Sequence, residues 1–224
     1  MQRLNVKLAL ALATAGLLPA AGFAAEGLSY NFVEVGYVNL DVDQPGEDTF
    51  PRGDFDNGDG FEAKVSWALS DRLFIYGNYS ETEADFGYRN NAGVRFPGNT
   101  DVIKFGAGVG AVFPMSNNTD FVVSGGYMDI DFDRFRLGAS GNSSVNDLKN
   151  DPSDGFSVDA LMRSQLSERF EASIGARYID IQSIDGFSLI ANLMYEFTPN
   201  WGLNFSVDAG SDLGTWAAGV RYSF

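Results

Sequence analysis

Hydrophobic and polar residues alternate with a period of two along most of the chain, and the alternation runs to the last residue. In the final stretch Trp216, Ala218, Val220, Tyr222 and Phe224 are apolar, and Ala217, Gly219, Arg221 and Ser223 between them are small, polar or charged. This is strand periodicity, because successive side chains of a strand point to opposite faces. The same two-phase pattern occurs in six further runs. Phe61, Ala63, Val65, Trp67 and Leu69 alternate with Glu62, Lys64, Ser66 and Ala68. Ile103 to Phe113 does the same against Lys104, Gly106, Gly108 and Gly110. The runs at 156–166, 170–178, 187–197 and 201–209 follow. None of these apolar faces carries a charge, as hydrocarbon requires: a charge facing lipid at mid-depth costs about 2–4 kcal/mol in a membrane barrel.

The spacing of turns gives the topology. Short turns stand at 69–73, 114–120, 166–170 and 198–201. Longer Gly- and Asp-rich stretches lie at 43–59, 84–100 and 133–154, with briefer ones at 182–186 and 211–214. Short turns on one side and long loops on the other mark an up-and-down transmembrane barrel. The prediction is therefore an all-β, antiparallel β-barrel of about ten strands, with eight as the alternative. Aromatic residues sort to two heights. Trp67, Phe113, Phe170, Tyr195, Phe197, Trp201, Tyr222 and Phe224 lie near the short turns, and Tyr37, Tyr79, Tyr127, Tyr178, Phe187 and Trp216 near the long loops. Two such belts fit two membrane interfaces. The first strand is ambiguous. Val33, Val35 and Tyr37 suggest one outward phase, and Tyr30, Phe32, Leu40 and Val42 the other. The first is preferred because it turns Glu34 inward. Trp216, Val220, Tyr222 and Phe224 form a terminal signal for the barrel-assembly machinery.

The N-terminus predicts export. Arg3 and Lys7 precede an apolar run from Leu8 to Leu18, then Pro19, and the small residues before Ala25 suit signal peptidase. Residues 1–24 read as a secretory signal peptide and 25–224 as the barrel. Removing Arg3 and Lys7 takes the formal charge from −15 to −17, which argues against a nucleic-acid partner. The mean hydropathy of −0.10 looks soluble, as it should when only alternate residues meet lipid.

Polar residues on the inward phase are the candidate site. Glu34, Glu62, Lys64, Lys104, Asp159, Arg163, Glu171, Arg177, Glu196, Asp208 and Arg221 are expected to form a charge network filling a narrow lumen. Glu34 and Arg221 should meet where the first and last strands close the barrel. A narrow cation-preferring, porin-like channel is the alternative. The chain has no histidine, the usual base of outer-membrane hydrolases, and its carboxylates carry no substrate-binding signature, so no enzymatic activity and no cofactor are expected. Metal signals are weak. Asp54, Asp56 and Asp59 have the composition of a calcium loop but not its spacing, and Asp129, Asp131 and Asp133 share a strand face at the outer rim.

The start of the mature chain, Ala25 to Glu34 with Gly36-Tyr37-Val38, and the later Asn200-Trp201-Gly202-Leu203-Asn204 are similar to a known family. It is the group of small outer-membrane barrels named as sulfation-dependent quorum factor or as activator of a plant immune receptor. The resemblance implies an outer-membrane β-barrel, and it implies a tyrosine modification that would fall on Tyr30. On its own pattern Tyr30 reads as an interface residue at the start of a strand. The expectations together are a monomer in the bacterial outer membrane, reached through the periplasm, with acidic surface loops. Its neighbours would be lipid, lipopolysaccharide and an unidentified surface ligand. Its role would be structural or surface-interacting, with channel and secreted-signal roles as alternatives.

Overall fold

The structure is a computed structural model that describes residues 28–42, 53–89, 95–137, 153–181, 184–210 and 213–224. The expected leader at 1–24 lies outside these residues. Ten strands form one closed barrel in which each pairs antiparallel with its sequence neighbours and the last pairs with the first. They are β1 (Phe32–Val42), β2 (Gly53–Ser70), β3 (Leu73–Arg89), β4 (Arg95–Ser116), β5 (Thr119–Leu137), β6 (Ser153–Ser167), β7 (Phe170–Ile181), β8 (Ile184–Glu196), β9 (Trp201–Gly210) and β10 (Leu213–Ser223). The count settles ten over eight. The seam is continuous, from Phe32↔Ser223 to Val42↔Leu213. Closure leaves no strand edge, so every strand's backbone groups can be satisfied without water.

Side chains sort as the alternation demands. Leu189, Leu203, Phe205, Ile174 and Phe187 are exposed on the outer face. In β1, Val33, Val35 and Tyr37 face out and Glu34 is buried. The strand looked ambiguous because its inward face is apolar at both ends: Val38 and Leu40 are buried and Phe32 lies under the Arg221 guanidinium. Rings pair in two girdles. Trp201 and Tyr222 stand 4.9 Å apart near the short turns, and Tyr178 and Phe187 also 4.9 Å apart at the other end.

The described parts of three predicted loops are strand. β2 begins at Gly53, β3 runs to Arg89 and β4 starts at Arg95, and β5 continues to Leu137. These extensions continue the strands past Tyr79 and Tyr127 of the girdle, and their sequence lacks the run of alternating apolar residues that marks a lipid-crossing strand. The wall is consequently uneven. β7 to β10 and β1 have 10–13 residues, close to the roughly 9–11 that cross a bilayer when tilted. β2 to β5 have 17–22. Glycines on the lumen face of β4 let β3 lie close: a Cβ at Gly110 would fall 2.1 Å from the Phe74 ring, and one at Gly108 would fall 2.7 Å from the Tyr76 hydroxyl.

Candidate functional site

The interior is layered along the barrel axis. At the short-turn end Leu28, Tyr30, Phe74, Val112 and Val122 form a buried apolar cluster. Leu28 and Tyr30 precede β1 and fold into the lumen, so this segment floors the barrel. Tyr30 stacks on Phe74 with ring centroids 5.2 Å apart, and its hydroxyl donates to Asp120 Oδ2 on β5 at 2.9 Å. The Arg163 guanidinium lies over its ring at 4.6 Å. Tyr30 is 8 % exposed, which corrects the reading of it as an interface residue. Tyr30 stands four residues before Glu34 on the same inward phase, so the phase that turns Glu34 inward carries Tyr30 into the lumen as well.

Above the floor lie the charges. Arg163 holds Glu171 through two bonds, 2.5 Å from Nε and 2.9 Å from Nη2. Glu34 sits at the seam and gathers three strands. Arg221 of β10 donates to its Oε2 at 2.8 Å, Lys64 of β2 to its Oε1 at 3.3 Å, and Asn204 of β9 to the same Oε1 at 2.8 Å. Lys64 also reaches Glu62 at 2.5 Å. Higher still, Arg177 of β7 is clamped between Asp159 of β6, at 2.7 and 3.1 Å, and Asp208 of β9 at 2.7 Å. Lys104 lines the cavity between these groups. Glu196 is half-buried near Glu171, Arg163 and Arg221. Asp120, fully buried, is a lumen charge that the sequence reading left inside a turn. Its signal was the inward phase of Val122 and Ser124, extended back by one more pair.

At the opposite end Leu40, Ala84, Val102, Ile130 and Ile181 make a second apolar cluster inside the barrel. Between the two lies a cavity of about 360 Å³. It runs past the charged layers and reaches Gly186, Ser188, Gly210 and Thr215, at the top of the shortest strands.

The acidic residues singled out for metal lie elsewhere. Asp54, Asp56 and Asp59 stand on β2, in extended backbone broken by a bulge between Phe55 and Gly58, not on a turn. The loop reading failed because Gly and Asp there belong to the strand extension above the girdle. Asp129 and Asp131 face outward on β5, where Asp129 accepts a bond from the Tyr127 hydroxyl at 3.1 Å, and Asp133 follows on the same strand. Among the described residues no group of three or more acids is placed to hold a metal ion. Trp216, Val220, Tyr222 and Phe224 all lie on the outer face of the last strand and its end, 37–46 % exposed.

Residues 8–224 match the family model of the outer membrane protein beta-barrel domain. The chain belongs to that family. It is a protein of the outer membrane, crossing it with strands. Its fold is similar to that of the outer membrane protein OprG from Pseudomonas aeruginosa, with a TM-score of 0.52, 13 % identity, and 89 % of this chain and 99 % of that one covered. The KdgM porin in complex with oligogalacturonate gives a TM-score of 0.44 at 11 % identity, covering 85 % and 99 %. Ail, the attachment invasion locus protein of Yersinia pestis, gives 0.39 at 16 % identity, covering 88 % and 100 %. At these identities the likeness is one of fold. Among curated proteins no sequence matches.

Proposed function

We propose that this family member is a non-enzymatic barrel whose lumen is a plug and whose working surface is the tall wall of β2 to β5. One observation carries the reading. Apolar clusters occupy the lumen near both ends, and ion pairs tie the wall together between them. A water-filled pore would line its full length with polar groups instead. The tall hairpins extend the wall past the girdle and place acidic residues such as Glu81, Glu83 and Asp85 above it. That is an interaction surface for a ligand outside the cell, and for lipopolysaccharide phosphates through bridging divalent cations. The barrel-assembly machinery would read the outer face of β10, and the barrel would work as a monomer.

Planar-bilayer recording from the folded protein tests the plug: no steady conductance is expected, and large, stable current refutes it. The second reading is a narrow channel preferring cations. It is favoured by the cavity and by Glu34, Glu62, Asp120, Asp159, Glu171, Glu196 and Asp208 outnumbering the lumen cations. A reversal potential displaced toward the cation in a salt gradient would establish it. A signalling role would run through the Tyr30 hydroxyl, which is bonded to Asp120 in the closed barrel. Modification would therefore have to come before folding, and mass spectrometry of the folded, membrane-extracted protein decides it.

A further inference from the structure

Lys104 stands apart from the other interior charges. Lys64, Arg163, Arg177 and Arg221 each hold a carboxylate at 2.5–3.3 Å. Lys104 projects from β4 into the cavity, and among the described residues no hydrogen bond or ion pair reaches it. The acids that act on it are Asp208 and Glu62. Both are engaged already, Asp208 by Arg177 at 2.7 Å and Glu62 by Lys64 at 2.5 Å. Lys104 is half-buried and presents its ammonium to the cavity. Its surroundings offer hydroxyls and amides: Asn78, Ser80, Ser124, Asn192 and Ser206 line the same cavity. At about 360 Å³ the space falls at the small end of ligand sites, which span about 300–1,000 Å³.

We propose that the lumen cavity binds a small hydroxylated monocarboxylate, its carboxylate on Lys104 Nζ and its hydroxyls on the serines and asparagines. One free cation matches one negative charge. A second negative charge on the ligand would meet no further cation without a carboxylate among the described lumen residues. The route in is from outside. The cavity reaches Gly186, Gly210 and Thr215 at the low wall, whereas the tall side is closed by the cluster around Val102 and Ile130. Binding requires no passage through the floor, so the proposal stands whether or not the barrel conducts.

The experiment is calorimetric titration of the detergent-folded protein with gluconate, and with neutral glucitol as the uncharged counterpart. Gluconate should bind saturably in the millimolar range or tighter, glucitol at least about tenfold more weakly. Lys104→Gln should lose at least about tenfold in gluconate affinity, and Lys104→Arg should keep most of it. Folding of each variant is scored by heat-modifiable gel mobility. Should Lys104→Gln fail to fold, the wild-type protein decides by a second readout: amidination of Lys104, followed by mass spectrometry, should be slowed by gluconate and not by glucitol. Equal binding of gluconate and glucitol, undiminished gluconate binding by Lys104→Gln, absence of binding, or unprotected amidination overturns the proposal.

Discussion

Glu34 shows how much one residue can carry in a lumen this narrow. It is 1 % exposed and takes bonds from Arg221, Lys64 and Asn204. Removing its charge strands Arg221 in a low-dielectric interior and leaves Lys64 with Glu62 alone. Glu34→Leu should therefore destabilise the barrel by about 3–5 kcal/mol, the scale for breaking one side of a buried pair. Urea unfolding in lipid vesicles measures it. The double variant Glu34→Leu with Arg221→Leu should recover part of that loss, because both partners then leave together. Gly110 is the second residue-scale case. Any side chain there enters the Phe74 ring, which is wedged between Tyr30 and β4. Gly110→Val should cost at least about 1–3 kcal/mol and loosen the floor, seen as a lower melting temperature.

At the scale of the strand, a lipid-facing position tolerates no charge. Phe205 sits midway along β9 and is 46 % exposed to the bilayer. Phe205→Lys should lower unfolding free energy in vesicles by about 2–4 kcal/mol, while the same change in detergent micelles should cost less. The strands that cross the membrane were legible because lipid imposes a two-residue code on them. β9 shows this in Trp201, Leu203, Phe205 and Val207 against Asn204, Ser206 and Asp208. Where that constraint lapses, so does legibility. Asp54 and Asp56 on β2 and Asp133 on β5 belong to strand extensions that lack a run of alternating apolar residues, and they read as loop. The placement of the inward charges followed from phase, since Lys64, Arg163 and Arg177 fall on the alternate residues. Which partner each takes depends on register around the barrel, and periodicity within one strand carries no information about it. Tyr30 was misread although it falls on the inward phase of Glu34; that phase continues ahead of the strand, and register then sets it under Arg163.

At the scale of the molecule, the two girdles fix the depth of the barrel. The chain has three tryptophans, Trp67 and Trp201 in one girdle and Trp216 in the other. Lipids quenching at the headgroup level should dim all three, and a quencher at the bilayer centre should dim them weakly; single-tryptophan variants assign each. The lumen makes its own prediction at this scale. Replacing Tyr30 and Leu28 together with alanine removes the large side chains of the floor. Alanine-substituted protein should give conductance steps in planar bilayers where the wild type gives none, provided Val102 and Ile130 are also replaced by serine to open the other end.

The bond between Glu34 and Arg221 joins residues 187 positions apart in the chain. Synthesis therefore delivers one partner at the beginning and the other at the end. Until the final strand docks, the inward carboxylate on β1 has Lys64 of β2 beside it but lacks Arg221 and Asn204. Sealing the wall and completing the set of partners around that charge are thus a single event, and a half-assembled sheet carries an incompletely paired carboxylate. The seam works as a latch that makes insertion all-or-none.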